Sequence, residues 1–223
     1  MRTMTYDLIL LDIETQRDLF LPSGSCYTPQ AAEARKNIYK LLDWARTNGQ
    51  PIISTVLRLP RGHIGPLADV PHCIEDTAGE RKLSKTLLNN YHNLGMSNNT
   101  DLPPDVFSRH QQVIIEKRHT DIFKHGRAER LVTESNGNTG FVVCGGAVHA
   151  GVVEAAVGLR SRGFTVIVPR DAVVTLDDPR AEYAVQRMDA KGVLMTRTHD
   201  VVTQPKPKRG QRERLRELME AGA

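Results

Sequence analysis

The chain has 223 residues, a hydrophobic fraction of 39% and a formal charge of +4, values that suit one globular domain. No run approaches the roughly 18 to 20 apolar residues that a membrane helix needs, so we expect no membrane span and no membrane partner. Cys26, Cys73 and Cys144 form neither a CxxC pair nor an even framework, which favours reduced thiols and a cytoplasmic location.

Short apolar runs alternate with segments of helical periodicity along the chain. The predicted strands are Tyr6–Leu11, Pro51–Val56, Val113–Ile115, Phe141–Cys144, Phe164–Val168 and Val193–Met195. The predicted helices are Pro29–Asn48, a short segment near Ser84–Asn90, Arg127–Glu134, Val152–Arg162 and a helix around Pro179–Asp189. The region His92–Arg109 is rich in asparagine and proline and is predicted to be loop. Nearly continuous apolar strands are typical of parallel sheets that are buried on both faces.

This alternation predicts an α/β fold, a three-layer αβα domain with a mostly parallel, Rossmann-like sheet of about six strands. We place the domain at residues 1–203 and treat residues 204–223 as a basic tail, helical or flexible. In such folds the ligand site lies beyond the carboxyl ends of the strands. We therefore expect the segments 12–18, 116–119 and 145–151, which follow three of the strands, to converge.

The three converging segments carry recognisable motifs. The first reads E-T-Q-R-D-L-F from Glu14, the second K-R-H-T-D-I-F from Lys117, and the third G-G-A-V-H-A-G-V from Gly145. They resemble, in the same order, the Asp-x-Gln-x-Asp-Phe, Lys-x-x-x-Ser/Asp-x-Phe and Gly-Val-Ala-Thr-Asp-x-Cys-Val motifs of the isochorismatase-like hydrolase superfamily. Each motif alone is weak, but three in order at matching strand ends make a fairly specific resemblance, which spans residues 6 to about 200.

The resemblance implies a catalytic trio of Asp, Lys and Cys. A carboxylate can take the proton of a thiol, and a lysine beside it lowers the cost of negative charge. Carried over to this sequence, the lysine is Lys117, the carboxylate is Glu14 and the nucleophile position is Gly151. Asp12 competes with Glu14, because alternate residues of a strand share a face and both carboxylates could point into one site. Glu14 is favoured because it keeps register with Gln16.

Gly151 departs from the superfamily pattern, because glycine cannot attack a carbonyl. Cys26, Cys73 and Cys144 are each expected to be structural rather than nucleophilic. The spacing Gly145-x-x-x-His149-x-Gly151 resembles the isochorismatase branch, which has no catalytic cysteine and hydrolyses a vinyl ether. A general acid suffices for that reaction, and a Glu14 whose pKa is raised by burial could supply the proton.

Further positions are predicted to contact a substrate. These substrate-binding candidates are Asp12, Gln16, Arg118, Ala147, Val148 and His149, with Arg58 and Arg61 as further candidates for binding a carboxylate. His149 is equally compatible with a hydrogen-bonded histidine at a helix N-terminus. Backbone N–H groups of the Gly145–Gly151 turn are expected to form an anion site.

No metal and no other cofactor is expected. The zinc-dependent nicotinamidases resemble Asp-x-His after the second strand, whereas this chain has Ser54-Thr55-Val56-Leu57-Arg58 there. His72, with His63 nearby, is predicted to pack its loop. Aromatic residues make up only 5% of the chain, which argues against a stacking surface for nucleic acid.

The leading hypothesis is an isochorismatase-like hydrolase that lacks the usual catalytic cysteine and acts on a small anionic metabolite. The alternative is a catalytically inactive relative that binds a small molecule or a protein partner in the same pocket. The resemblance also implies a homodimer or homotetramer.

Overall fold

The computed structural model describes residues 8–67, 69–135 and 139–203. The strands are β1 Leu8–Ile13, β2 Ile52–Leu57, β3 Tyr91–Asn93, β4 Gln112–Lys117, β5 Gly140–Gly145, β6 Thr165–Pro169 and β7 Leu194–Thr196. The α-helices are α1 Arg17–Phe20, α2 Pro29–Thr47, α3 Val106–Arg109, α4 Gly126–Thr133, α5 Val153–Ser161, α6 Arg180–Ala190 and α7 Thr198–Val202. The start of the predicted first strand and the whole tail 204–223 lie outside the described residues.

The strands form one parallel sheet in the order β3-β4-β2-β1-β5-β6-β7. All six residues of β1 are buried, as are all six of β2 and of β5, so the centre of the sheet is covered on both faces. One apolar core packs α4, α5 and α6 against one face, and a second core packs α2 and α7 against the other. The expected three-layer Rossmann-like α/β fold is confirmed.

Three local differences from the sequence expectations occur at one sheet edge. The edge strand β3 lies at the start of a region predicted to be loop, and it brings the sheet to seven strands rather than about six. The short helix α3 ends the same region. The segment near Ser84–Asn90 forms only a 3-10 turn, Ser84–Thr86, rather than a longer helix. Three- or four-residue elements are too short to show a period, and β3 depends on pairing with β4.

The connections that leave the carboxyl ends of the strands carry the candidate site. The link from β5 to α5 passes through a cis peptide bond between Gly146 and Ala147 and a π-helical turn, Val148–Val152. Gly145 has φ of +120°, and a Cβ at that position would lie 1.9 Å from the Ile13 carbonyl oxygen, so only glycine fits between β5 and β1. Within the described ranges, no helix has both the length and the apolar character needed to cross a bilayer.

Candidate active site

Glu14 and Lys117 form a buried ion pair where β1 and β4 end. Both side chains are almost completely excluded from solvent, and Lys117 Nζ donates a hydrogen bond to Glu14 Oε1. The same ammonium donates to the carbonyl oxygens of His119 at 2.8 Å and Thr120 at 2.9 Å. All three N–H groups of the lysine are therefore engaged, which fixes its position beside the carboxylate.

Asp12 and Glu14 do not share a site, contrary to the expectation that both point the same way. Asp12 accepts hydrogen bonds from Lys82 Nζ at 2.5 Å and Ser54 Oγ at 2.9 Å, so it has a separate buried partner. Leu10, on the same side of β1, belongs to the core that packs against α2. Glu14 follows the end of β1 with φ of +49°, and this left-handed turn directs its carboxylate to Lys117.

The surroundings of the Glu14 carboxyl group raise its pKa. Desolvation by burial raises its pKa, the charge and hydrogen bond of Lys117 lower it, and the nearby Glu154 carboxylate raises it again; the net shift is upward. While Oε1 accepts from Lys117, Oε2 is buried and has no hydrogen-bond partner in the described part of the chain. Oε2 is therefore the atom that can exchange a proton with a bound molecule.

Gly151 lies directly against this carboxylate. A Cβ placed there would be 2.8 Å from Glu14 Oε1, 2.8 Å from Ile13 Cγ2 and 3.2 Å from Glu14 Cδ. Contacts this short do not occur between unstrained atoms, so the space a side chain would need at 151 is already filled. The extra methylene of a glutamate, relative to aspartate, occupies space that the glycine leaves free.

The turn between β5 and α5 has several of its backbone donors already engaged. The N–H groups of Gly146 and Val148 donate to the carbonyls of Ile13 and Val174, each at 2.9 Å. Those of Ala150 and Val152 donate to the Ala147 carbonyl at 3.1 and 3.3 Å. A substrate anion at this turn would have to use N–H groups other than these four.

His149, within the same turn, is a buried histidine with one satisfied nitrogen. Its Nε2 lies 3.1 Å from the Leu67 carbonyl oxygen and 3.7 Å from Asp178 Oδ2, while Nδ1 is buried without a partner among the described residues. Burial lowers the pKa of His149 more than the Leu67 hydrogen bond and the Asp178 charge raise it, which favours a neutral ring.

Gln16 and Arg118 are both engaged with the protein itself. The Gln16 side chain donates to the Leu57 and Glu80 carbonyls at 2.7 Å and accepts from the Leu57 N–H at 2.8 Å, thereby joining β1 to β2. Arg118 donates to the Arg58 carbonyl at 3.0 Å and pairs with Glu75. The substrate-binding roles of Asp12, Gln16, Arg118, Ala147, Val148 and His149 stay predictions, as do the catalytic roles of Glu14, Lys117 and Gly151.

The three cysteines are free and buried. Burial raises the pKa of Cys26, and it raises the pKa of Cys73 and Cys144 well above the ordinary thiol value, which opposes thiolate formation. Cys73 is close enough to Glu14 for that carboxylate to raise the pKa of the thiol further. These environments oppose a nucleophilic role for each thiol.

Histidine and carboxylate side chains do not assemble a metal site in the described ranges, where no group of three or more metal-ligating side chains is found. His72 instead packs its own loop: Nδ1 lies 2.8 Å from the Val70 carbonyl oxygen, and Nε2 accepts from the Leu67 N–H at 3.4 Å. Whether the protein works without a metal or other cofactor stays a prediction.

Sequence reasoning missed two charged groups in this region. Lys82, the buried partner of Asp12, follows an irregular loop and carries no periodic signal. Glu154 lies in the first turn of α5, half-buried, with Oε2 buried and unpartnered in the part of the chain that the structure describes. Its spacing of three residues from Gly151 was the one signal that could have placed it next to the site.

Comparisons with known proteins agree with this fold. The fold resembles a pyrazinamidase of Pyrococcus horikoshii in complex with zinc (TM-score 0.64, 22% identity, 86% of this chain and 99% of that chain). It also resembles an N-carbamoylsarcosine amidase from Thermoplasma acidophilum (TM-score 0.63, 16% identity, 90% of this chain and 99% of that chain). A third similar structure is a putative isochorismatase hydrolase from Oleispira antarctica (TM-score 0.67, 16% identity, 90% of this chain and 100% of that chain). Among curated proteins, no sequence matches this chain. The model of the isochorismatase domain matches residues 8–200, and the chain therefore belongs to the isochorismatase-like hydrolase family.

Proposed function

We propose that this protein hydrolyses a small anionic metabolite by general acid catalysis, without a cysteine nucleophile. Glu14 is the acid and Lys117 is the cation that holds and orients it. The observation that carries the proposal is the state of the Glu14 carboxyl group: Oε1 is bound to Lys117, Oε2 is buried and unpartnered, and burial raises its pKa. A carboxyl group whose pKa is raised holds its proton to a higher pH than a free carboxyl group does, and it can transfer that proton to a substrate.

A vinyl ether is the substrate class that best suits this chemistry. Protonation of its terminal carbon by Glu14 gives an oxocarbenium ion, water adds to that ion, and the resulting hemiketal collapses to a ketone and an alcohol. No covalent enzyme intermediate is needed, which agrees with a glycine at position 151 and with three buried thiols.

Arg118, which follows Lys117 in the chain, supports an anionic substrate. Arg58 is less available, because its guanidinium is already paired with Glu80 at 2.6 Å and Glu116 at 2.7 Å. Arg118 retains 38% side-chain exposure. A substrate carboxylate that displaced Glu75 from Arg118 would preserve the favoured guanidinium–carboxylate pairing.

The test is a hydrolase screen of the purified wild type beside Glu14→Gln and Lys117→Ala, with isochorismate, nicotinamide, N-carbamoyl compounds and simple amides. Glu33→Gln is the matched control, because it makes the same change at an exposed position on α2. We expect turnover of isochorismate that falls about 10²-fold or more in both site variants and is unchanged in the control. If folded wild type turns over none of these compounds, the proposed catalytic function is refuted. The result would then favour an inactive relative that binds a small molecule or a protein partner.

A further inference from the structure

Glu154 faces the same space as Glu14. It lies three residues after Gly151, which belongs to the π-helical turn that leads directly into α5. Within that turn only Ala150 departs from helical dihedral angles, so Gly151 and Glu154 project from a similar side. The Cβ position of Gly151 is 2.8 Å from Glu14 Oε1, so this face of the helix is the one that contacts the Glu14 carboxyl group. Glu154 is also close enough for its charge to raise the pKa of Glu14.

The two carboxyl groups each present one buried oxygen without a partner. Oε2 of Glu14 and Oε2 of Glu154 accept no hydrogen bond in the described part of the chain. Lys117 has no N–H group left to donate to Glu154, because its three N–H groups donate hydrogen bonds to Glu14, His119 and Thr120. A buried acceptor without a donor is energetically unfavourable, so such atoms in folded proteins normally accept a hydrogen bond from water or a ligand.

We propose that Glu154 is the general base that binds and deprotonates the hydrolytic water, opposite Glu14 as the acid. This inference rests on the proposed function and adds the group that activates the nucleophile. Two carboxyl groups with one proton between them are a recurrent means of adding water to an oxocarbenium ion. Glu14, which is fully buried, is assigned as the acid, and Glu154, which is half-buried, is assigned as the base.

The proton balance of the reaction closes with these two groups alone. Glu14 gives its proton to the terminal carbon of the vinyl ether, and Glu154 takes a proton from water as the water oxygen bonds to the cationic carbon. When the hemiketal collapses, its hydroxyl proton returns to Glu14, the carbon–oxygen bond to the alcohol breaks, and Glu154 protonates the departing oxygen. Both carboxyl groups end in their starting states.

The other titratable groups around Glu14 come from two further elements. Lys117 approaches from β4 and the Cys73 thiol from the loop after β2. His125, which precedes α4, is buried with both ring nitrogens unpartnered among the described residues. Burial lowers its pKa, and the charges of Arg127 and Lys117 lower it further. His125 therefore interacts with the lysine of the pair. The like-charge effect on Glu14 is specific to Glu154.

The first arm of the test needs no substrate. Carbon-13 NMR of labelled glutamate side chains gives the pKa of Glu14 in wild type, Glu154→Gln and the control Glu33→Gln, with the signal assigned by its loss in Glu14→Gln. Removal of a facing carboxylate should lower the pKa of Glu14 in Glu154→Gln and leave it unchanged in the control. An unchanged Glu14 pKa in Glu154→Gln overturns the pair, whatever the activity.

The second arm measures turnover of isochorismate against pH. Glu154→Gln should lower kcat by about 10²-fold or more with KM within about twofold, and should abolish the loss of rate at low pH, where the base takes up a proton. Sodium formate should restore part of the rate of Glu154→Ala, which a merely structural role would not allow.

The two failures are distinguishable. An active wild type with full rate and an unchanged pH profile in Glu154→Gln overturns the base and leaves the proposed function standing. A folded wild type that turns over nothing overturns the proposed function and the base with it, even if the NMR arm finds the carboxyl pair.

Discussion

The substitution Gly151→Cys places the family's usual residue in this chain, and we expect it to destabilise the protein. Its Cβ would lie 2.8 Å from both Glu14 Oε1 and Ile13 Cγ2, before any space is found for the sulfur. Overpacking of this kind costs about 1 to 3 kcal/mol, and the difference in helix propensity between Gly and Cys offsets only about 0.3 kcal/mol of that. For a chain of this length the Tm should fall by about 1 to 11 °C.

The clash depends on the length of the Glu14 side chain, and a double variant tests that dependence. Glu14→Asp removes one methylene and withdraws the carboxyl group from position 151, so the double variant Glu14→Asp/Gly151→Cys should be more stable than the two single effects add up to. The expected coupling is about 1 kcal/mol or more.

Urea unfolding of the wild type, both single variants and the double variant measures this coupling. Additivity within about 0.5 kcal/mol would refute the packing of Glu14 against Gly151, as would a Gly151→Cys protein as stable as wild type. We also expect no amidase activity from Gly151→Cys alone, because its thiol has no room beside the longer carboxyl group.

Three further outcomes follow from the buried charges. Because the pKa of Glu14 is raised, kcat of the wild type should fall as pH rises through that pKa, which a pH–rate profile measures. The stability advantage of wild type over Glu14→Gln should shrink over the same pH range, which urea unfolding at a series of pH values measures. Lys117→Met leaves a buried carboxyl group without its cation and should cost about 3 to 5 kcal/mol by urea unfolding, with part regained in Glu14→Gln/Lys117→Met; no loss would contradict the pair. Lys82→Met should cost a similar amount, and Asp12→Leu/Lys82→Met should recover most of it, whereas a double variant as unstable as the single one would argue against a simple ion pair.

The approach of Glu14, Lys117 and Gly151 could be predicted from the sequence. Each follows or ends an apolar run of strand length, and parallel strands bring their carboxyl ends to one edge of the sheet. The fold class followed from the same alternation of apolar strands and amphipathic helices.

The directions of the Asp12 and Glu14 carboxylates depend on the backbone geometry at the end of β1. The alternation of apolar and polar residues in the sequence does not encode that geometry. Asp12 and Glu14 are two residues apart and should share a face, but the positive φ of Glu14 ends the strand alternation. The partner of Asp12 is Lys82, 70 residues away in an irregular loop. A period of two describes the inside of a strand and fails at the first residue beyond it.

Glu154 illustrates the same limit on the helical side of the site. In the sequence it is one polar residue in the first turn of a helix, where acidic residues are common because of the helix dipole. Only the close approach of Gly151, in the turn just before α5, to the end of β1 makes Glu154 a neighbour of Glu14. The sequence by itself determined the central strands and the longer helices, their order along the chain and the residues at the ends of those strands. The tertiary structure decided which charges meet, because burial and ion pairing depend on distances between segments far apart in the chain.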